Sequence, residues 1–307
     1  MMNTLPRDKL CIGTAKFGMQ YGVGNRSHQV DLASTQSVIE YCSNHGVGFF
    51  DTAPGYGESE AILGRFEYVR SARVVTKTLK ICGDTVDQMA IEMLQDGFER
   101  SLHRMNVPNV YGLLVHNVED LAKPGADKLV RWMLELQSRG LVKRVGASVY
   151  SPTEAHEIYS RYELDLIQLP VNVFDQRFLD EGTMEWLVER SVEIHARSLF
   201  LKGLLLQGQA PPGLPRRLLD HHQRFMLELG ARNVGAFDLC MGFAMRLHQV
   251  DKWVLGFSNL QQLQHVVEWH DPFANTTDLD HQWLRDFCAS WGLTADDIDP
   301  RKWSAVS

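Results

Sequence analysis

The stretch Leu10-Cys11-Ile12-Gly13-Thr14-Ala15-Lys16-Phe17-Gly18 decides the architecture. Leu10–Gly13 is a short apolar run, and short apolar runs bounded by turn residues read as strands. An open doubly wound sheet announces itself with G-x-G-x-x-G directly after its first strand. Gly13-Thr14-Ala15-Lys16-Phe17-Gly18 does not match that pattern. Seven more runs follow the first: Gly48–Asp51, Arg73–Lys77, Val110–His116, Arg144–Ser148, Leu166–Pro170, Glu193–Ser198 and Trp253–Gly256. Amphipathic stretches separate them: Ala33–His45, Glu58–Phe66, Val86–Met105, Ala126–Arg139, Pro152–Tyr159, Phe178–Arg190, Val234–Leu247 and Leu260–Trp269. Such alternation implies parallel strands joined by right-handed crossovers. With the open sheet disfavoured, eight strands predict an α/β fold, a (β/α)8 TIM barrel.

The 307 residues suit one large barrel domain, with a core at about 9–270 and a C-terminal extension, 271–307, over one barrel face. Hydrophobic residues make up 44% of the chain, enough for a large core. A net charge of −7 without basic runs argues against nucleic acid or an anionic membrane as partner. Apolar stretches such as Ser198–Leu206 fall short of the roughly 18 residues of a membrane span, and Met1–Leu10 lacks a signal-peptide core. Five scattered cysteines read as free thiols in a reducing cytoplasm. No metal-ligand spacing is present.

Barrel chemistry sits at the C-terminal ends of the strands. Those ends carry Asp51 with Tyr56 just beyond, Thr76-Lys77, His116, Ser148, Gln168 and Arg197-Ser198. Tyr, Lys, Asp and His together suit proton donation to a carbonyl. A lysine ammonium about 4 Å from a phenol favours the phenolate by about 4 kcal/mol at an effective dielectric near 20. Lys77 is therefore expected to make Tyr56 a usable acid, with Asp51 keeping Lys77 charged and oriented. His116 would polarise the carbonyl oxygen. A carbonyl so polarised invites hydride, which side chains cannot supply, so a nicotinamide cofactor is implied.

The stretch Phe49-Phe50-Asp51-Thr52-Ala53-Pro54-Gly55-Tyr56-Gly57-Glu58-Ser59-Glu60 resembles the aldo-keto reductases. Val75-Thr76-Lys77, Leu113-Leu114-Val115-His116, Gly140–Gly146 and Gly256-Phe257-Ser258-Asn259-Leu260 match the same family in order. The resemblance implies a (β/α)8 barrel and an oxidoreductase using NADP(H) or NAD(H) on a small carbonyl or sugar substrate. By the same resemblance Tyr56 is the acid/base, Lys77 and Asp51 tune it, and His116 orients the carbonyl. Ser148 and Gln168 would hold the nicotinamide carboxamide, and Gly13, Thr14, Arg197, Ser198, Gly256 and Ser258 would complete the cofactor site. The opening segment and Ala196–Leu205 are similar to a bacterial subgroup associated with sugar and surface-polysaccharide metabolism.

Three positions depart from the family. Val149-Tyr150 follow Ser148 where the family has Asn. Arg197 stands where an aromatic residue usually stacks on the nicotinamide. Gly256–Val266 contains no Lys or Arg for a 2′-phosphate, although Arg232 could compensate. Arg197 and Lys202, beside the mouth, suit an anionic or sugar-nucleotide substrate. A nucleotide-binding regulatory protein without turnover is the alternative reading. A Schiff-base lyase through Lys77 is disfavoured, because Asp51 would keep that lysine protonated.

Overall fold

The computed structural model describes residues 4–24, 28–273 and 293–303. Eight parallel strands close into a barrel in sequence order: β1 Leu10–Gly13, β2 Phe49–Asp51, β3 Arg73–Lys77, β4 Val110–Val115, β5 Val142–Ser148, β6 Leu166–Pro170, β7 Glu193–Arg197 and β8 Lys252–Gly256. The seam is the β1–β8 ladder, from Leu10↔Trp253 to Gly13↔Gly256. The chain is thus a (β/α)8 barrel, as the eight alternations predict.

Local chemistry sets the helices between the strands. Asp31 accepts a hydrogen bond from the Ser34 amide to start helix Leu32–His45, and Gly46 at φ 72° ends it. Ser151 and Glu154 form a capping box at the head of helix Pro152–Arg161, which places its proline in the first turn. Two expected helices differ. Phe178–Arg190 is two helices, Arg177–Asp180 and Thr183–Glu189, separated by Gly182 at φ 66°. Glu58–Phe66 is helical only over Ser59–Leu63. The chain turns away at Gly64, where a Cβ would lie 2.0 Å from the Arg104 carbonyl oxygen.

The lower half of the barrel is filled. Val75, Leu114 and Leu166 pack inside it. Below them Glu193 accepts from the Tyr111 hydroxyl at 2.5 Å and pairs with Arg144 at 3.0 Å and His195 at 2.8 Å. Such packing leaves the C-terminal mouth as the open end.

The long connection from β7 to β8 carries helix Arg216–Arg232. At the C-terminal end, Thr294 and Asp297 form a capping box for the short helix Ala295–Ile298. Arg301 of this segment lies over the Tyr150 ring at the mouth. The rest of the expected extension falls on 274–292 and 304–307, outside the described residues. No helix among the described residues is long and apolar enough to cross a membrane.

Candidate active site

β2 and β3 lie side by side, and their last residues form the base of the mouth. Lys77 Nζ donates to both Asp51 oxygens at 2.8 Å and to the Thr52 carbonyl at 2.9 Å. The pair is almost fully buried, with side-chain exposures of 1% and 4%. Buried ion pairs hold only when further hydrogen bonds satisfy them. Here Gln168 on β6 supplies one, its amide nitrogen donating to Asp51 Oδ1 at 2.7 Å.

Tyr56 sits above this pair on the loop after β2. The Lys77 ammonium lies 5.0 Å from its ring centroid. The His116 ring meets the Tyr56 ring edge-on, with centroids 5.7 Å apart and planes at 88°. Tyr56, Lys77, Asp51 and His116 are therefore brought together, from the ends of β2, β3 and β4.

The expected tuning differs from what the geometry gives. An ammonium has three donors, and those of Lys77 go to Asp51 and Thr52. Asp51 offsets its charge at short range. Burial pushes the Tyr56 phenol up from its ordinary value, and Asp51 adds to this; the Arg197 guanidinium opposes it. Tyr56 is a proton holder across neutral pH. Burial, together with the Lys77 charge, pulls His116 down to about 4, so its imidazole is neutral at pH 7.

The Tyr56 loop is fixed by the segment that follows β1, Thr14–Gly18. Gly18 approaches it so closely that a Cβ there would stand 2.0 Å from the Tyr56 carbonyl oxygen and 2.2 Å from the Ser59 nitrogen. Ser59 Oγ donates to the Thr14 carbonyl at 3.0 Å, and its oxygen lies 2.7 Å from the Thr14 hydroxyl. Thr14 also donates to the Asp51 carbonyl at 2.9 Å. The Thr14 hydroxyl holds the loop, and Thr14 also lines the cavity where the cofactor is expected. Gly18→Ala should displace Tyr56 without unfolding the barrel. A misplacement of about 1 Å can cost about 100-fold in rate. Turnover should fall by about that factor with an unchanged far-ultraviolet circular dichroism spectrum; near-wild-type turnover would remove Gly18 from this role.

A cavity of about 730 Å³ opens beside Tyr56 and runs across the seam. Gly13, Thr14, Lys16, Gln168, Arg197, Ser198, Gly203, Gly256, Ser258, Asn259 and His265 line it. Ser148 is buried next to Gln168 in the β5–β6 register. The Gln168 nitrogen is committed to Asp51, which leaves its carbonyl oxygen for a ligand amide. On the far side Asn259 caps helix Leu260–Val267.

Two side chains missed by sequence reasoning stand out. Lys16 reaches across the seam and donates to Ser258 at 2.9 Å. It places a cation in the groove that Gly256–Val266 lacks, whereas Arg232 pairs with Glu228 at 3.7 Å. The pairing Gly13↔Gly256 is the signal, and it exists only once the barrel is closed. Arg301 stacks 3.5 Å from the Tyr150 ring centroid, and Arg197 lies 4.1 Å from that same centroid. No local pattern announces a contact from a residue so far along the chain.

The chain is similar to proteins already known. A relative named "Probable voltage-gated potassium channel subunit beta", from Arabidopsis thaliana, is 27% identical over 172 residues, 53% of this chain and 51% of that protein. The D-arabinose 1-dehydrogenase of Saccharomyces cerevisiae is 23% identical over 147 residues, 46% of this chain and 42% of the enzyme. The chain thus spans about half the length of the curated relatives it matches. An aldo-keto reductase from Bacillus halodurans, solved in its holo form, shares the fold with a TM-score of 0.71 at 17% identity, covering 96% of this chain and 95% of that one. The model of the aldo/keto reductase family matches residues 9–272, which takes in every strand of the barrel together with Asp51, Tyr56, Lys77 and His116. By that match, the chain belongs to the aldo/keto reductase family.

Proposed function

We propose that the protein is an NAD(P)(H)-dependent oxidoreductase that interconverts a small carbonyl or sugar substrate and its alcohol. One observation carries the reading: Tyr56 and His116 face each other at 5.7 Å above the Lys77–Asp51 pair, at one end of a cavity large enough for an extended cofactor. A bound nicotinamide would supply the hydride. Gln168 Oε1 would accept from its carboxamide. Lys16 and the capped start of helix Leu260–Val267 suit its phosphates.

His116, neutral, would donate a hydrogen bond to the carbonyl oxygen and polarise it. Tyr56 would give that oxygen its proton as negative charge develops there. Asp51 and Lys77 would hold the site rigid and keep water out from below. A cytoplasmic location goes with the free thiols of Cys11, Cys42, Cys82 and Cys240.

The raised phenol gives the two directions opposite pH dependence. Reduction needs Tyr56 protonated, so its rate should hold from neutral to moderately alkaline pH. Oxidation needs the phenol to release its proton, so its rate should climb with pH across the same range. Titration with NADH and NADPH, read by quenching of intrinsic fluorescence, followed by rate measurements in both directions over a carbonyl panel, tests this. Quenching without turnover of any carbonyl would instead support a nucleotide-binding regulatory protein, the reading favoured by the similarity to a channel beta subunit. No quenching by either nucleotide would overturn both.

A further inference from the structure

We infer that the substrate carries a carboxylate or phosphate group near its carbonyl, and that Arg197, with Lys202, binds it. This deepens the proposed reductase activity and rests on it. The inference comes from how charges are paired at the mouth. Arg301 is held by Asp299, with contacts of 2.7 and 3.0 Å, and lies 3.7 Å from Glu119. Arg177 is held by Asp175 at 2.8 Å. Arg197 and Lys202 have no carboxylate partner among the described residues. Arg197 donates one hydrogen bond, to the Val149 carbonyl at 3.0 Å, and rests on the Tyr150 ring. Lys202 lies over the Tyr21 ring at 4.8 Å.

Both cations line the same cavity as Tyr56. A half-buried charge without a counter-ion is costly, and its Coulomb repulsion with a like charge adds to that cost. Lys202 registers this: burial and the nearby Arg197 charge bring its pKa down to about 8. The chain after β7 also bends through left-handed backbone to place Lys202, at φ 55° and ψ 25°. Such strain persists only where surrounding structure fixes it, and it clusters at ligand sites.

Tyr150, over whose ring Arg301 also lies, backs the Arg197 guanidinium, and the Val149 carbonyl holds it. A planar, fixed guanidinium offers paired donors to a carboxylate or phosphate. The Arg197 charge is felt at both Tyr56 and His116. An anion on Arg197 would therefore belong to the molecule whose carbonyl meets Tyr56. The diphosphate of a nucleotide is the other possible source. Lys16 serves that charge at the opposite, seam side of the cavity.

The test compares two aldehydes of similar size and shape, 4-carboxybenzaldehyde, ionised at neutral pH, and its neutral amide 4-carbamoylbenzaldehyde. A second pair, glyceraldehyde 3-phosphate and glyceraldehyde, distinguishes phosphate from carboxylate. In the wild type, kcat/KM should favour the charged member of at least one pair by 10-fold or more. The preference should shrink with added salt and above pH 8, where Lys202 loses its proton. In Arg197→Met the preference should fall to near unity through the KM of the charged substrate, and Arg197→Lys should restore part of it. Calorimetric binding of 4-carboxybenzyl alcohol against 4-carbamoylbenzyl alcohol needs no turnover. If no aldehyde is reduced yet the charged alcohol binds preferentially through Arg197, the reductase reading fails and the anion site stands. The inference is overturned if neither pair shows a preference, or if the preference survives in Arg197→Met. It is equally overturned if Arg197→Met weakens NADH and NADPH binding while leaving the preference intact, which would assign the guanidinium to the cofactor.

Discussion

Tyr56→Phe should lower carbonyl reduction by about two to four orders of magnitude, the span that positioned general acids contribute. The substitution removes one hydroxyl. The ring's contacts with His116 at 5.7 Å and with the Lys77 ammonium at 5.0 Å are ones that phenylalanine keeps. Folding stability and cofactor quenching should therefore stay close to wild type, and the loss should appear in kcat. His116 would still polarise the carbonyl, which leaves a small residual rate. Cofactor oxidation followed under single-turnover conditions separates the chemical step from release. Retention of more than about a tenth of the wild-type rate constant would mean that another group donates the proton.

Lys77→Met should have the larger effect on the fold. It strips the Asp51 carboxylate of both lysine hydrogen bonds and leaves it buried, with Gln168 still donating to it. Removing one partner of a buried ion pair typically costs about 3–5 kcal/mol. Chemical denaturation should show a loss of that size, together with a fall in turnover as the floor beneath Tyr56 loosens. The double variant Lys77→Met, Asp51→Asn separates the two consequences. It removes the buried charge, so most of the stability should return. Turnover should not return, because the positioning of Tyr56 is still lost. A double variant as unstable as the single one would show that Lys77 stabilises through packing rather than charge.

The barrel was legible because each strand is a short apolar run that ends in a chemically distinct residue. Asp51, Lys77, Ser148, Pro170 and Gly256 all close their strands where the sequence pattern places them. Gly182 hid inside the expected Phe178–Arg190 helix, since one glycine in a periodic stretch is a weak break until its backbone angle is known. The gathering of Tyr56, Lys77, Asp51 and His116 followed from the rule that strand ends converge. The direction of the Tyr56 shift did not follow from it. Residue identities tell which charges are near, whereas the Asp51–Lys77 geometry decides how much of the lysine's charge reaches the phenol. Lys16 and Arg301 were illegible for a related reason. Each acts across a contact, with Ser258 or Tyr150, that separates partners by more than a hundred residues.

The seam between β1 and β8 bears on how the molecule is made. Its two edges are the first and last strands, so the groove they share has no floor until nearly the whole barrel has left the ribosome. Contacts between such distant segments form late, because the long intervening chain must first be brought to order. A growing polypeptide that has not reached Gly256 has only one wall of this groove. Under the proposed function, nucleotide capture would report completed synthesis, and stalled fragments should not compete for it.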